Sequence, residues 1–271
     1  MLILHIGLPK TGTSFLQKEV FPRMGSFITL HKSLPPVSNY GRFGERLYAK
    51  LRSSIGSKRR IHSYLGQLLL LRASAKRNLL FTSENISMAP DSIWKLRGKS
   101  PAAFVAWLTE ISAKSGTPIK VIFGIRNWDQ WLASRYAQSS GRLKNASQTD
   151  FESRVAAIID SEIDLNSVLG WLQYREVAQA ISSVIGKENL HIYRTEELEG
   201  ERFESIKELF DFVGTEIPEE FSNPKFWMSL RRRNVRQKEP NVWKLRENQG
   251  NISLTSELSG KIMAKFSPHS T

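Results

Sequence analysis

The residues best suited to chemistry lie in the run LILHIGLPKTGTSFLQ (Leu2–Gln17), where a short apolar segment meets glycines, hydroxyls and a lysine. Gly7 and Gly12 allow the backbone to curl with its N–H groups pointing inward. A helix predicted to begin at Thr13 adds unpaired N–H donors and the positive end of its dipole. The run therefore predicts a socket for phosphate or sulfate. Its candidate ligands are Lys10, Thr11, Gly12, Thr13 and Ser14.

This loop differs from the phosphate loop of ATP- and GTP-binding enzymes, which reads G-x-x-x-x-G-K-[ST]. Gly7 and Gly12 have that glycine spacing, but Thr13 stands at the lysine position and the lysine is at Lys10. Those enzymes also hold Mg²⁺ partly with an acid at the end of a second strand. The comparable segment here, VIFGI, is followed by Arg126. The sequence predicts an anion site for which no metal is expected.

A second group of polar residues follows the segment VIFGI. Arg126 stands at the end of this predicted strand, and Ser134 comes eight residues later. The two residues are about two helical turns apart, so both lie on nearly the same face. A guanidinium offers a planar fork to phosphate oxygens, so the pair predicts a second anion site. Trp128, Trp131 and Tyr136, in the same run, are interpreted as packing residues.

The two motifs together resemble the sulfotransferases that use 3′-phosphoadenosine-5′-phosphosulfate (PAPS), of the bacterial carbohydrate or tyrosine type. HIGLPKTGTS is similar to the family's 5′-phosphosulfate loop, P-K-[ST]-G-T-[ST], and Arg126 with Ser134 is similar to its 3′-phosphate pair. The resemblance implies that Lys10 stabilises the leaving charge and that residues 11–14 hold the 5′-phosphate. It implies PAPS as co-substrate, 3′,5′-diphosphoadenosine (PAP) as product, and no metal. The resemblance covers roughly residues 1–215 and is specific in residues 1–17 and 119–138.

Sulfuryl transfer also needs a base to take the acceptor's proton. In this family the base commonly follows a strand between the two phosphate sites, and the resemblance assigns that role to Glu84, which follows LLFTS. Glu84 could instead cap a helix. His31 and His62 are the alternative bases, whereas His5 lies inside the first predicted strand and is interpreted as a packed core residue.

The elements that must position these residues alternate along the chain, which predicts βαβ units. The predicted fold class is α/β, a P-loop-like central parallel β-sheet flanked by helices, as in sulfotransferases and nucleotide kinases. Strands are predicted at Leu2–Ile6, Ser26–Leu30, Leu79–Ser83, Lys120–Ile125 and Leu190–Arg194. Helices are predicted at Thr13–Val20, Ile61–Ala75, Ala102–Lys114, Trp128–Ser140, Phe151–Ile163, Ser167–Ile185 and Phe203–Val213.

No repeat or flexible linker divides the 271 residues, so one domain is predicted over 1–271. Its core spans about residues 1–215, and a break around Pro218–Pro224 precedes a basic C-terminal extension, 216–271. The run from Arg231 to Arg236 is either a solvated face or a lid over the donor or an anionic acceptor. Both readings remain open.

The composition narrows the classes of partner that the protein is expected to bind and the compartment in which it is expected to act. A net charge of +13 favours capture of anions such as a phosphorylated nucleotide or an acidic glycan. The absence of cysteine excludes disulfides and thiol nucleophiles and fits a reducing cytoplasm. Since the first apolar run is short, neither a signal peptide nor a transmembrane segment is predicted. A cytoplasmic location is expected, and peripheral membrane contact stays open.

Three functions compete. A sulfotransferase acting on a hydroxyl or amine is preferred, with a carbohydrate acceptor first, then protein tyrosine or a small molecule. A P-loop kinase would require Mg²⁺ and a nearby carboxylate. A non-catalytic polyanion-binding module would require neither Lys10 nor Glu84, and its affinity would fall smoothly with salt. Nucleic acid is not an expected partner, because no recognised binding module is present.

Overall fold

The computed structural model describes residues 1–30, 78–83, 87, 93–96, 98–116, 118–229, 237–247 and 249–267. A parallel five-stranded sheet forms its centre. The strands are β1 (Leu2–His5), β2 (Phe27–Leu30), β3 (Asn78–Thr82), β4 (Ile119–Ile125) and β5 (Leu190–Arg194). They lie in the order β2-β3-β1-β4-β5, so β1 is central and pairs with both β3 and β4.

The central strand is apolar along its whole length because both faces of the sheet are covered. All four residues of β1 are buried. Leu2 and Leu4 belong to the hydrophobic cluster on one face, and Ile3 belongs to the cluster on the other. The α/β fold class predicted from the alternating pattern is confirmed.

Helices cover the two faces unequally. The helices are α1 (Thr13–Phe15), α2 (Pro101–Ser115), α3 (Trp128–Ser139), α4 (Gln148–Asp160), α5 (Tyr174–Ile185), α6 (Thr195–Gly200), α7 (Arg202–Val213), α8 (Pro224–Ser229) and α9 (Ser256–Phe266). Residues of α2 to α5 and α9 pack in one cluster, whereas the turn after α1 packs with α6 and α7 in the other. The chain thus leaves β1 and β4 toward opposite faces, which opens a crevice at the carboxyl ends of the strands.

Two predicted helices differ from the structure. The segment predicted as Thr13–Val20 begins as α1 but continues from Leu16 to Val20 as a π-helical turn. The segment predicted as Ser167–Ile185 is a 3₁₀ turn, Val168–Leu172, followed by α5. Gln173 interrupts it with φ −85° and ψ 72°, outside the helical region. The predicted helix at 61–75 lies outside the described residues.

The C-terminal region forms structure that the sequence did not indicate. Strands β6 (Gln237–Glu239), β7 (Val242–Lys244) and β8 (Asn251–Ser253) make an antiparallel sheet that precedes α9. Trp243 and Ile252 are buried in the same hydrophobic cluster as α2 to α5. The extension is therefore packed onto the main core.

Within the described ranges, none of the helices has the length and apolar character needed to cross a bilayer.

Candidate active site

The loop after β1 contains two residues with left-handed backbone conformations. Lys10 has φ 73° and Gly12 has φ 77°. Left-handed lysine is strained, so the surrounding contacts must hold it in place. At Gly7, an added Cβ would lie 2.9 Å from both Thr11 Oγ1 and Thr13 Cγ2, so glycine is required for the chain to fold back this tightly. The loop is a compact curl that opens into the helix starting at Thr13.

Three consecutive carbonyl groups of this loop are each held by a side chain from another element. An indole from α3, a guanidinium from the end of β4 and a phenol from β5 donate the three hydrogen bonds. The pairs are Trp131 Nε1 to Pro9 O at 2.7 Å, Arg126 Nη1 to Lys10 O at 3.4 Å, and Tyr193 Oη to Thr11 O at 2.9 Å. These contacts fix the orientation of successive peptide units.

The hydrogen bonds that fix these three carbonyl groups also set the direction of the backbone N–H group that follows each of them. No peptide bond is cis among the described residues, so each carbonyl and the following N–H point in opposite directions. The indole and phenol donors are buried, which turns the amides of Lys10 and Gly12 toward the opposite side. The amide of Thr11 instead donates to Leu8 O at 3.3 Å. Outward-facing amides beside a helix N-terminus are the arrangement that binds phosphate.

Arg126 lies directly against this loop. Its Nη1 reaches Lys10 O, and its side chain is 14% exposed. The carboxylate of Glu196 lies 4.0 Å from Arg126 Nε, and its Oε1 accepts a hydrogen bond from Asn127 N at 3.0 Å. Arg126 Nε is buried and has no hydrogen-bond partner in the described part of the chain. The guanidinium is thus oriented by the counter-charge of Glu196 on one side and by the Lys10 carbonyl on the other.

Ser134 lies on α3, close to the side that carries Trp131. Trp131, which donates to Pro9 O, stands three residues before it, and residues at that spacing share a helix face. Ser134 is 6% exposed. The structure therefore brings the two predicted anion-binding elements, the loop and the Arg126–Ser134 segment, to the same edge of the sheet.

The loop hydroxyls differ in their surroundings. Thr11 Oγ1 donates to Leu8 O at 2.5 Å and is fully buried, so its hydroxyl closes the loop from within. Thr13 is also buried, whereas Ser14 is half-buried at the start of α1. Of the three predicted hydroxyl ligands, Ser14 is the most accessible.

Two serines near the end of β3 contact the loop region. Ser83 N donates to His5 O at 3.1 Å, and Ser87 Oγ donates to Gly7 O at 3.3 Å. The predicted base lies between them in sequence but outside the described residues. The other predicted residues outside the described part are His31, His62 and the run from Arg231 to Arg236.

A cavity of about 580 Å³ extends the crevice on one side of Arg126. Four cations and one carboxylate contribute charge to its lining: Arg126, Arg175, Arg194, Lys265 and Glu176. Trp128 and Tyr174 also line it and stack on each other, with ring centroids 5.0 Å apart and planes 9° apart. The cavity therefore combines aromatic surface with an excess of positive charge.

The polar contacts of three residues near the loop were not predicted from the sequence. Trp131 was interpreted as packing only, Tyr193 was not assigned a contact, and Glu196 was not considered. A buried indole N–H or phenol O–H nearly always has a hydrogen-bond partner, which is the available signal for the first two. Their acceptors are loop carbonyls 122 and 182 residues away, a pairing that local sequence does not contain.

These features define an α/β protein with a tightly held loop and a cluster of cations at the carboxyl edge of a parallel sheet. The sequence profile described as "Sulfotransferase domain" matches residues 2–242. The chain belongs to the sulfotransferase family, whose members transfer a sulfuryl group, as the resemblance in the two motifs predicted. A comparison with curated protein sequences found no match.

Several solved sulfotransferase structures are similar to the chain. Mouse sulfotransferase SULT7A1, complexed with PAP, is 13% identical with a TM-score of 0.44, over 97% of this chain and 75% of that one. A sulfotransferase from Alicyclobacillus acidocaldarius is 15% identical with a TM-score of 0.42, over 83% and 87%. The sulfotransferase domain of the Synechococcus PCC 7002 olefin synthase is 12% identical with a TM-score of 0.46, over 97% and 87%. Because these scores are low, family membership rests on the sequence profile.

Proposed function

We propose that this protein transfers the sulfuryl group of PAPS to a hydroxyl or amine of an acceptor. The observation that carries the proposal is the contact between the two anion-binding elements, Arg126 Nη1 to Lys10 O at 3.4 Å. A donor with phosphate groups at both its 3′ and 5′ positions needs two anion sites within the span of one nucleotide. A site for the 3′-phosphate is what would distinguish PAPS from ATP, which has no phosphate at that position.

In the proposed donor complex, the outward amides of the loop and the start of α1 bind the 5′-phosphosulfate. Thr11, Gly12, Thr13 and Ser14 contribute through backbone or hydroxyl groups, and Lys10 supplies the charge. Arg126 and Ser134 bind the 3′-phosphate. The Arg126 side chain keeps 14% of its surface exposed, which supports this role because a guanidinium binds phosphate oxygens through its planar fork.

The reaction is an in-line displacement at sulfur. The acceptor oxygen or nitrogen forms a bond to sulfur, while the bond from sulfur to the 5′-phosphate oxygen breaks and its electrons leave with PAP. Lys10 neutralises the charge that develops on that oxygen. Glu84 takes the acceptor's proton, and His31 or His62 takes it if Glu84 only caps a helix. No metal is required by these steps.

The acceptor is proposed to be a carbohydrate, with protein tyrosine and small molecules as alternatives. A net charge of +13 favours an anionic glycan among carbohydrates. The protein is proposed to act in the cytoplasm as a single domain, with contact to a membrane surface left open.

Calorimetry with PAP against ATP–Mg²⁺ tests the donor class, followed by an acceptor screen with ³⁵S-labelled PAPS. We expect PAP to bind without added metal and more tightly than ATP–Mg²⁺, and label to move to an acceptor. Binding of ATP–Mg²⁺ in preference to PAP would support the kinase alternative. Weak binding of every polyanion, falling smoothly with salt, would support the non-catalytic module.

Glu84→Gln tests the base. The amide is nearly isosteric but cannot accept the acceptor's proton, so we expect PAP affinity to persist while turnover falls by about 10²-fold or more. Glu110→Gln, on α2, is the control for removing one carboxylate elsewhere. Retained turnover in Glu84→Gln would transfer the role to a histidine.

A further inference from the structure

A chain of hydrogen-bonded polar groups, most of them buried, lies beneath the loop after β1 and joins five parts of the molecule. His5, the last residue of β1, is fully buried. Its Nδ1 lies 2.6 Å from Thr82 Oγ1 at the end of β3, and its Nε2 lies 3.0 Å from Tyr193 Oη on β5. Gln17 Nε2 donates to Thr82 Oγ1 at 3.0 Å, and Tyr193 donates to Thr11 O.

The acceptor at one end fixes the direction of every hydrogen bond. A backbone carbonyl can only accept, so the Tyr193 hydroxyl proton points to Thr11 O. The phenol oxygen must then accept from His5, which puts the imidazole proton on Nε2. Nδ1 consequently accepts from the hydroxyl of Thr82, whose oxygen accepts from the amide of Gln17.

The electrostatics agree with this single tautomer. Burial lowers the pKa of His5 to about 3, so the imidazole is neutral at ordinary pH. A neutral imidazole has one donor and one acceptor nitrogen, which is what the chain requires. Phe21 packs edge-on against the ring with centroids 4.9 Å apart, so apolar contact holds its orientation.

The backbone leaves room for the phenol by using glycine on both sides of it. A Cβ added at Gly124, on β4, would lie 2.2 Å from Tyr193 Oη, and one added at Gly7 would lie 3.1 Å from it. Gly124 on β4 is the register partner of Tyr193 on β5. The Tyr193 side chain therefore passes over Gly124 to reach the loop. The tyrosine position therefore depends on two glycines as well as on His5.

We propose that His5 is a positioning residue for sulfuryl transfer, acting through Tyr193 to hold the Thr11 carbonyl inward and direct the Gly12 amide toward the donor's 5′-phosphate. This rests on the proposed function, since it supposes that the loop binds that phosphate. His5 touches no reacting atom. Its effect passes through two hydrogen bonds, from His5 to the phenol and from the phenol to Thr11 O, and then through one peptide plane.

The first test removes single links. Tyr193→Phe deletes the hydroxyl and keeps the ring, and we expect it to raise the Kd for PAP about tenfold, the value of one good hydrogen bond. Tyr136→Phe is the matched control. That tyrosine is equally buried and its Oη donates to Asp150 Oδ2 at 2.6 Å, but the bond holds α3 to α4 instead of the loop. We expect Tyr136→Phe to lower the melting temperature and leave PAP affinity unchanged.

The second test separates positioning from packing at His5. His5→Phe keeps a ring but offers Tyr193 no donor, so we expect a loss of PAP affinity like that of Tyr193→Phe. His5→Gln can present an amide N–H near the position of Nε2, and we expect it to recover most of the affinity. Because His5 acts through Tyr193, the double variant His5→Phe/Tyr193→Phe should lose no more than Tyr193→Phe alone.

The third test needs neither donor nor acceptor. The chain has five histidines, and in ¹⁵N-histidine-labelled protein the signal of His5 is the one missing from the spectrum of His5→Gln. We expect His5 to show a protonated Nε2 and an unprotonated Nδ1. The opposite tautomer would overturn the inference. Additive losses of PAP affinity in the double variant would also overturn it. So would a PAP affinity in Tyr193→Phe equal to that of Tyr136→Phe. Failure of the wild-type protein to bind PAP would instead reject the proposed function.

Discussion

The loop after β1, residues 7–14, and the C-terminal unit, residues 237–267, are built in contrasting ways. The loop is recognisable in the sequence, but it is held by side chains that arrive from α3, β4 and β5. The C-terminal unit has no recognisable motif and is held largely by burial of apolar side chains such as Trp243 and Ile252. A local motif can thus depend on distant polar contacts, while a region without a motif depends on packing.

The two regions meet at α3. Its inner side touches the loop through Trp131, and its first turn is tied to the C-terminal unit by Ser259 Oγ donating to Asp129 Oδ2 at 2.6 Å. Gln130 Nε2 also donates to Asn241 Oδ1 at 3.0 Å. We therefore expect substitutions in the loop to change chemistry at nearly constant stability, and those in the C-terminal unit to change stability at nearly constant chemistry.

The largest expected effect is that of Lys10→Ala. Removing the charge that we propose stabilises the leaving oxygen should lower kcat by about 10³-fold, measured with ³⁵S-labelled PAPS. Stability should change little, because alanine and lysine meet similar strain at a positive φ. Lys18→Ala, an exposed lysine on the following turn, is the control for loss of one charge. Equal turnover in the two variants would remove Lys10 from the mechanism.

Trp243→Ala should have the next largest effect, on stability. Deleting a side chain that is 1% exposed should lower the free energy of unfolding by about 3–5 kcal/mol, measured by urea denaturation. Lys244→Ala, an exposed neighbour on β7, should be close to neutral. Turnover per folded molecule should match the wild type. A selective loss of PAP affinity would show instead that the C-terminal unit positions Ser134.

The smallest expected effect is that of Thr255→Ala at the N-cap of α9. Thr255 Oγ1 accepts from Leu258 N at 3.2 Å, and losing such a cap lowers stability by about 1 kcal/mol. A small fall in melting temperature with unchanged turnover is the expected outcome. A large fall in turnover would break the separation between the two regions.

The sequence was sufficient to locate the strands of the parallel sheet and the two motifs that follow β1 and β4. β5 has the bounds predicted from its pattern, and β4 begins one residue earlier than predicted. Both were predictable because buried parallel strands form continuous apolar runs flanked by helical segments. The loop and the Arg126–Ser134 spacing were readable because each is contained in a short segment.

The remainder depends on contacts between distant parts of the chain. β6, β7 and β8 have three residues each, too short to show a period. His5 was predicted to be a core residue and is one, but its partners Thr82 and Tyr193 stand 77 and 188 residues away. Such contacts follow from the strand order, which the sequence pattern did not specify.

The most direct test of the central claim compares PAP with AMP in the wild-type protein and in Arg126→Ala by calorimetry. PAP has phosphates at the 3′ and 5′ positions, whereas AMP has only the 5′-phosphate. We expect Arg126→Ala to weaken PAP binding by about 10- to 100-fold, the value of charged hydrogen bonds, and to leave AMP binding nearly unchanged. Arg142→Ala, an exposed arginine, should alter neither. Equal losses for PAP and AMP would contradict the two-site account.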